Sequence, residues 1–97
     1  MTTSGVRQIT AVSSQRIYIL GEVSRPGAYV MIPGMTVLQA LSNGGGLTQF
    51  ANRSKIYVLR QENGKQVHLL FNYKDVLSGK RNDENIMLKS GDTIVVP

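Results

Sequence analysis

Ninety-seven residues, 41% of them apolar and 18% charged, have the size and composition of one globular domain, not of a disordered segment. There is no cysteine and a single histidine, His68, which excludes a disulfide framework, a thiolate zinc site, a thiol nucleophile and a histidine-rich metal site. Eleven Lys and Arg against six Asp and Glu give +5, a balance that favours anionic partners yet is ordinary for a soluble domain.

No apolar run approaches the ~20 residues needed to cross a bilayer. The first residues, Met1-Thr2-Thr3-Ser4-Gly5, show no basic stretch followed by an apolar core, so no signal peptide is expected. The expectation is either a cytoplasmic protein or an excised piece of a longer chain. A strand running to the last residue suits the second.

Val6 to Val12 is readable as a short edge strand, and Ser13-Ser14 as a turn. Ile17 to Val23 is the first clear strand. Arg25-Pro26-Gly27 breaks it, and Ala28 to Ile32 returns as its hairpin partner before Pro33-Gly34 stops it. Thr36-Val37-Leu38-Gln39 has capping-box spacing, with a hydroxyl at the N-cap and Gln at N3. Val37, Leu38, Ala40 and Leu41 then form one apolar face of a helix about two turns long, too short to stand without a sheet. Asn43-Gly44-Gly45-Gly46 ends it, because glycine accepts the left-handed conformation at a helix C-terminus.

Lys55 to Arg60 and Lys65 to Phe71 read as a second hairpin about Asn63-Gly64, the sequence a type I′ turn requires. That turn fixes the register. Glu62 meets Lys65, Arg60 meets Val67, Leu59 meets His68, Val58 meets Leu69, Tyr57 meets Leu70, and Ile56 meets Phe71. Alternation puts Ile56, Val58, Leu69 and Phe71 on one wholly apolar face, the better core face. Tyr57, Leu59, His68 and Leu70 fall on the other. A face open to water should be mostly polar, so either the lead-in segment or a C-terminal extension covers these four, or they are an interface with a neighbouring domain or subunit, the reading preferred here.

Asn72 caps a short helical turn that Gly79 closes, Lys80 to Asn85 is a polar loop, and Ser90-Gly91-Asp92 turns into a last strand, Thr93 to Val96. The order β-β-α-β-β-short helix-β describes an α+β fold: a β-grasp (ubiquitin-like) mixed sheet with one main helix across it.

Ile19-Leu20-Gly21-Glu22-Val23, Pro26-Gly27-Ala28-Tyr29, Thr36-Val37-Leu38-Gln39-Ala40-Leu41 and Gly44-Gly45-Gly46-Leu47-Thr48, in that order, resemble the SLBB domain, a soluble-ligand-binding β-grasp module. Phe71 to Val76, Asn85 to Leu88 and Gly91 to Pro97 are similar to bacterial polysaccharide biosynthesis/export proteins. One departure is Asn43 and a third glycine, where the family commonly has Ala before a Gly pair. The resemblance implies residues 16–97 as the SLBB domain and 1–15 as a lead-in strand or linker from an upstream export domain. It implies a periplasmic module of an outer-membrane export protein whose subunits form a ring. The partners implied are other subunits of that complex and an acidic polysaccharide, with the isolated chain a monomer. The alternative is a nucleic-acid-binding module, since SLBB-like domains also occur in DNA-uptake proteins. Against it, the chain has no clustered basic stripe with interleaved aromatics.

Glycan-contact candidates are Arg25, Tyr29, Asn43, Gly44, Gly45, Gly46 and Arg53. Bare backbone amides in the triple glycine can approach a ligand closely, although no nucleotide-binding frame surrounds them. Arg53, Lys55, Lys74, Lys80 and Arg81 are either a basic patch for nucleic acid or acidic glycan, or a solvated face. Asn52-Arg53-Ser54 matches a glycosylation sequon, as chance also produces. Asp92 reads as a turn acid, because catalysis requires a partner that no spacing supplies. No catalytic residue, cofactor or metal is assigned.

Overall fold

The computed structural model describes residues 15–97. The strand expected over Val6 to Val12 and most of the lead-in lie outside the described residues.

Five strands form one mixed sheet. They are β1 (Arg16–Gly21), β2 (Gly27–Val30), β3 (Ile56–Glu62), β4 (Lys65–Phe71) and β5 (Thr93–Val96). Their order is β2-β1-β5-β3-β4, with β5 parallel to β1 and antiparallel to β3. This is the β-grasp arrangement: two hairpins flank a central last strand. Helix α1 (Val37–Asn43) connects the hairpins, and a shorter α2 (Tyr73–Ser78) follows β4. A 3-10 turn, Asn82–Glu84, lies inside the segment expected to be a plain polar loop.

Sequence alternation builds the core. Ile17 and Ile19, Ile56 and Val58, Phe71, and Ile94 and Val96 are buried on the sheet face that α1 covers. From α1, Val37, Ala40 and Leu41 are buried against them. Each large apolar side chain withdrawn from water in this way stabilises the fold by about 1.5–3 kcal/mol. Leu38 departs from expectation. It is half-buried at the rim, because the 100° step of the helix carries it past the sheet toward α2.

The local signals act as their chemistry predicts. The Thr36 side chain accepts from Gln39 N at 3.3 Å, and Gln39 Oε1 accepts from Thr36 N at 2.9 Å, closing the capping box. Asn72 caps α2 by accepting from Asp75 N at 3.1 Å. At the helix stop, Gly44 keeps φ at −77°, and the left-handed turn falls on Gly45 and Gly46 at +87° and +85°. The β3–β4 register is the one counted from the turn, from Glu62↔Lys65 to Ile56↔Phe71. Asn63 and Gly64 both take positive φ, as a type I′ turn demands.

Gly21 sets the limit of β1. Its φ is +94°, and a Cβ there would lie 2.0 Å from the Val96 carbonyl oxygen. Only glycine allows β1 and β5 to run side by side to their ends. Beyond it the chain leaves the ladder, and Val23 makes a single bridge to Leu47 instead of extending the strand.

Candidate functional site

The glycine turn after α1 and the β1–β2 connection grip each other. Arg25 N donates to Gly44 O at 2.8 Å, and Ser24 N to Gly46 O at 3.0 Å. Ser24 Oγ donates to Gly45 O at 3.1 Å, and Arg25 Nη2 to Asn43 O at 3.1 Å. Tyr29 Oη donates to the Arg25 carbonyl. A Cβ on Gly45 would meet the Arg25 guanidinium and the Ser24 Cβ, each at 2.9 Å. The fold therefore brings together Arg25, Tyr29, Asn43, Gly44, Gly45 and Gly46. It commits the four turn carbonyls to a clasp, with an arginine at the negative end of a short helix. Arg53 lies apart from this cluster. Its carbonyl accepts from Tyr73 N at 2.8 Å and holds the start of α2.

Asp92 is 1% exposed and has the partner that sequence spacing did not supply. Arg60 Nε donates to Asp92 Oδ1 at 3.0 Å, and Nη2 to Oδ2 at 2.7 Å. Nη2 also reaches Met87 O at 3.1 Å, and Lys89 N donates to Asp92 Oδ2 at 2.8 Å. The hydrogen bond to Asp92 holds Arg60 above the ordinary arginine pKa; burial works against this, and the Asp92 and Glu62 charges add to it. The carboxylate is thus saturated by a guanidinium and a backbone amide, and it anchors the turn into β5. Arg60 was legible in principle. It shares register parity with Ile56 and Val58, and a cation among core-facing positions requires a buried acid.

The sheet face that α1 does not cover is left open by the described residues and is apolar across four strands. The ladders place Leu20 beside Val95, Val95 beside Tyr57, and Tyr57 beside Leu70, in one row from β1 to β4. A second row runs Ala28, Tyr18, Thr93, Leu59, His68. Leu70 is 70% exposed, Leu20 49% and Tyr18 41%. The Tyr57 and His68 rings lie 5.0 Å apart at a 32° tilt. All four interface candidates, Tyr57, Leu59, His68 and Leu70, sit together on this face. Tyr18, Leu20 and Val95 extend it, and the sequence reading missed them. Their signal is the unbroken apolar run Ile17-Tyr18-Ile19-Leu20, which leaves neither side of β1 polar.

Of the basic residues in the second half, Lys55 and Arg81 line one groove of about 480 Å3 with Ser54, Tyr57, Leu70 and Glu84. Lys74 and Lys80 are exposed and do not line it. Among the described residues, no group of three or more His, Asp or Glu side chains is arranged to hold a metal ion. No described helix is long and apolar enough to cross a membrane.

The chain shares 50% identity over 36 residues with an exopolysaccharide production protein, ExoF, of Rhizobium meliloti (strain 1021). That stretch covers 37% of this chain and 9% of the relative. A model of the SLBB domain family matches residues 16–70, from the first strand of the sheet into β4 and more than half of the chain. The first hairpin, the capped helix, the glycine clasp and all of the second hairpin but Phe71 fall within that span, and the chain belongs to the SLBB domain family.

Proposed function

We propose that this domain is a non-catalytic interaction module of a polysaccharide-export assembly in the bacterial envelope. In this reading it is periplasmic, within a full-length protein that associates with the outer membrane and assembles with its own copies. The observation that carries the proposal is the open sheet face. A sheet face that stays in water commonly alternates to polar side chains. Here the row Leu20, Val95, Tyr57, Leu70 is apolar from one side to the other. Such a patch marks a contact surface. SLBB membership and the similarity to an exopolysaccharide production protein support the polysaccharide setting. The saturated carboxylate of Asp92 supports a structural role for the buried acid, in keeping with a module that works by contact.

The test replaces Tyr57 and Leu70 by serine in the full-length protein and measures assembly by sedimentation and folding by thermal unfolding. Assembly is expected to fall while the thermal midpoint stays within a few degrees, because Leu70 is exposed and Tyr57 is half-buried. Unchanged assembly, or unfolding in place of dissociation, refutes the interface.

A further inference from the structure

The two edges of the sheet are protected unequally. β2 is a short strand of four residues, with Pro26 before it and Pro33 after it. Short strands and prolines are common means of keeping a sheet edge from pairing with another chain. β4 has neither. It runs seven residues, Lys65–Phe71, in unbroken register with β3, so no bulge turns it aside. Its one formal charge, Lys65, stands beside the turn, and the rest of the strand holds no proline and no acid.

The unpaired groups of that edge follow from the turn. In an antiparallel pair, successive residues point their backbone N–H and C=O alternately at the partner strand and away from it. The two-residue turn at Asn63-Gly64 makes Glu62 and Lys65 a bonded pair. Lys65, Val67, Leu69 and Phe71 therefore face β3 with their backbone groups, and Gln66, His68 and Leu70 face outward. Asn72 continues the outward series, and there the edge is stopped, because its N–H donates to Glu84 Oε1 at 2.7 Å. Gln66, His68 and Leu70 are exposed, and among the described residues no hydrogen bond engages their outward backbone groups. The free stretch is thus bounded by the turn at one end and by the Glu84 bond at the other, with His68 at its centre.

We propose that β4 pairs antiparallel with β4 of a second copy of this chain, about a two-fold axis at His68, joining the two sheets edge to edge. The occupant follows from the symmetry of the free stretch. An axis at His68 sets Gln66 opposite Leu70 of the partner subunit and His68 opposite its own equivalent, so every outward N–H and C=O of Gln66, His68 and Leu70 finds a partner. An axis at Leu69 would oppose Gln66 to Asn72, whose N–H is already engaged, and an axis at Val67 would oppose Leu70 to the turn. On the helix side the same register brings Val67 against Leu69 of the partner subunit, two half-buried apolar side chains that each gain cover. Lys65 falls opposite Phe71, so no two formal charges oppose each other. Pairing β4 head to tail with β2 of another copy offers less. Met31 N bonds to Gln15 O, so by alternation only Ala28 and Val30 within β2 face outward. The edge lies in the plane of the sheet and leaves the open face available for the contact proposed above. The pairing does not depend on the polysaccharide setting. It is concentration-dependent, so the isolated chain is a monomer when dilute.

The experiment is sedimentation equilibrium of the 97-residue chain from about 10 µM to about 1 mM, with amide hydrogen exchange measured at both ends of that range. A monomer–dimer equilibrium without larger species is expected. At the high concentration the amides of Gln66, His68 and Leu70 should exchange more slowly, whereas those of Val67 and Leu69, bonded to β3, should be protected throughout. His68→Pro removes an outward N–H and no ladder bond to β3, so it should weaken association by about tenfold or more while unfolding remains cooperative. Gln66→Pro has the same parity and serves if His68→Pro does not fold. The exchange pattern of the unaltered chain decides the question independently of either variant. No dimer at the highest concentration overturns the inference. A dimer that leaves the exchange of Gln66, His68 and Leu70 unchanged does so as well, as does one that a folded proline variant leaves intact. A series of larger species means head-to-tail pairing and overturns the two-fold. No edge pairing, together with full-length assembly lost in the Tyr57 and Leu70 variant, removes this contact and leaves the open-face interface standing.

Discussion

Replacing Asp92 by alanine strands a guanidinium. Arg60 is only 10% exposed at its side chain, and Asp92 supplies bonds at 3.0 and 2.7 Å that compensate its burial. Without the acid, Arg60 keeps the Met87 carbonyl and a contact with Glu62 at 4.0 Å, neither of which replaces a two-point carboxylate. Removing one partner of a buried pair costs about 3–5 kcal/mol. The Lys89 amide also loses its acceptor, in a turn where Gly91 N bonds to Arg16 O at 2.7 Å and Tyr18 N to Asp92 O at 2.9 Å. The damage thus falls where the central strand docks on β1. For a domain of this size, about 3 kcal/mol lowers the Tm by roughly 12–24 °C. Urea unfolding of Asp92→Ala, Arg60→Met and the double variant measures the coupling directly. The double variant should be milder than the sum of the singles by more than about 1.5 kcal/mol, since it leaves no unpaired charge. Because the Arg60 pKa is raised, its part of the pair is fully present at every pH below the ordinary arginine range, and is lost only as pH climbs through the raised value. Arg60 itself therefore adds no slope to stability near neutrality. A loss below about 1 kcal/mol for Asp92→Ala, or a coupling near zero, would falsify the reasoning.

Two further substitutions probe the core and the sheet. Leu41→Ala should cost about 2–5 kcal/mol as a fully buried large-to-small change, whereas Leu38→Ala, half-buried at the groove lined by Leu47, Tyr73 and Leu77, should cost about 1 kcal/mol; denaturant midpoints that rank the two the other way contradict the helix orientation. Gly21→Ala places a Cβ 2.0 Å from the Val96 carbonyl oxygen at a φ of +94°, so a loss of about 3 kcal/mol or more is expected, and fast amide exchange along β5 should accompany it; a near-neutral Tm contradicts the close approach of β1 and β5.

Local chemistry was the legible part of this fold. Asn63-Gly64 fixed the turn type, the turn fixed the register, and the register sorted Ile56, Val58 and Phe71 into the core. The capping box at Thr36 and the asparagine cap at Asn72 have the same quality, since each is satisfied within three residues. What the sequence hid was non-local. Arg60 and Asp92 are 32 positions apart, and nothing in either neighbourhood names the other. The mutual grip of Ser24 and Arg25 with the glycine turn spans 18 to 21 positions and depends on how two loops meet above the sheet. Leu38 was misplaced because a two-turn helix gives too few repeats to define the angle of its buried face.

The same distinction bears on the open face. Reading β3 and β4 alone yields four candidates, Tyr57, Leu59, His68 and Leu70, on a hairpin that any neighbouring element could cover. The parallel pairing of β5 with β1 decides what lies beside them. It sets Val95 between Tyr57 and Leu20, so the apolar row is carried across four strands and is not confined to one hairpin. A row of that width is not satisfied by solvating one side chain at a time, because its members screen each other from water only if something lies across them all. Exposed Leu70 stands at the β4 margin, where the sheet ends.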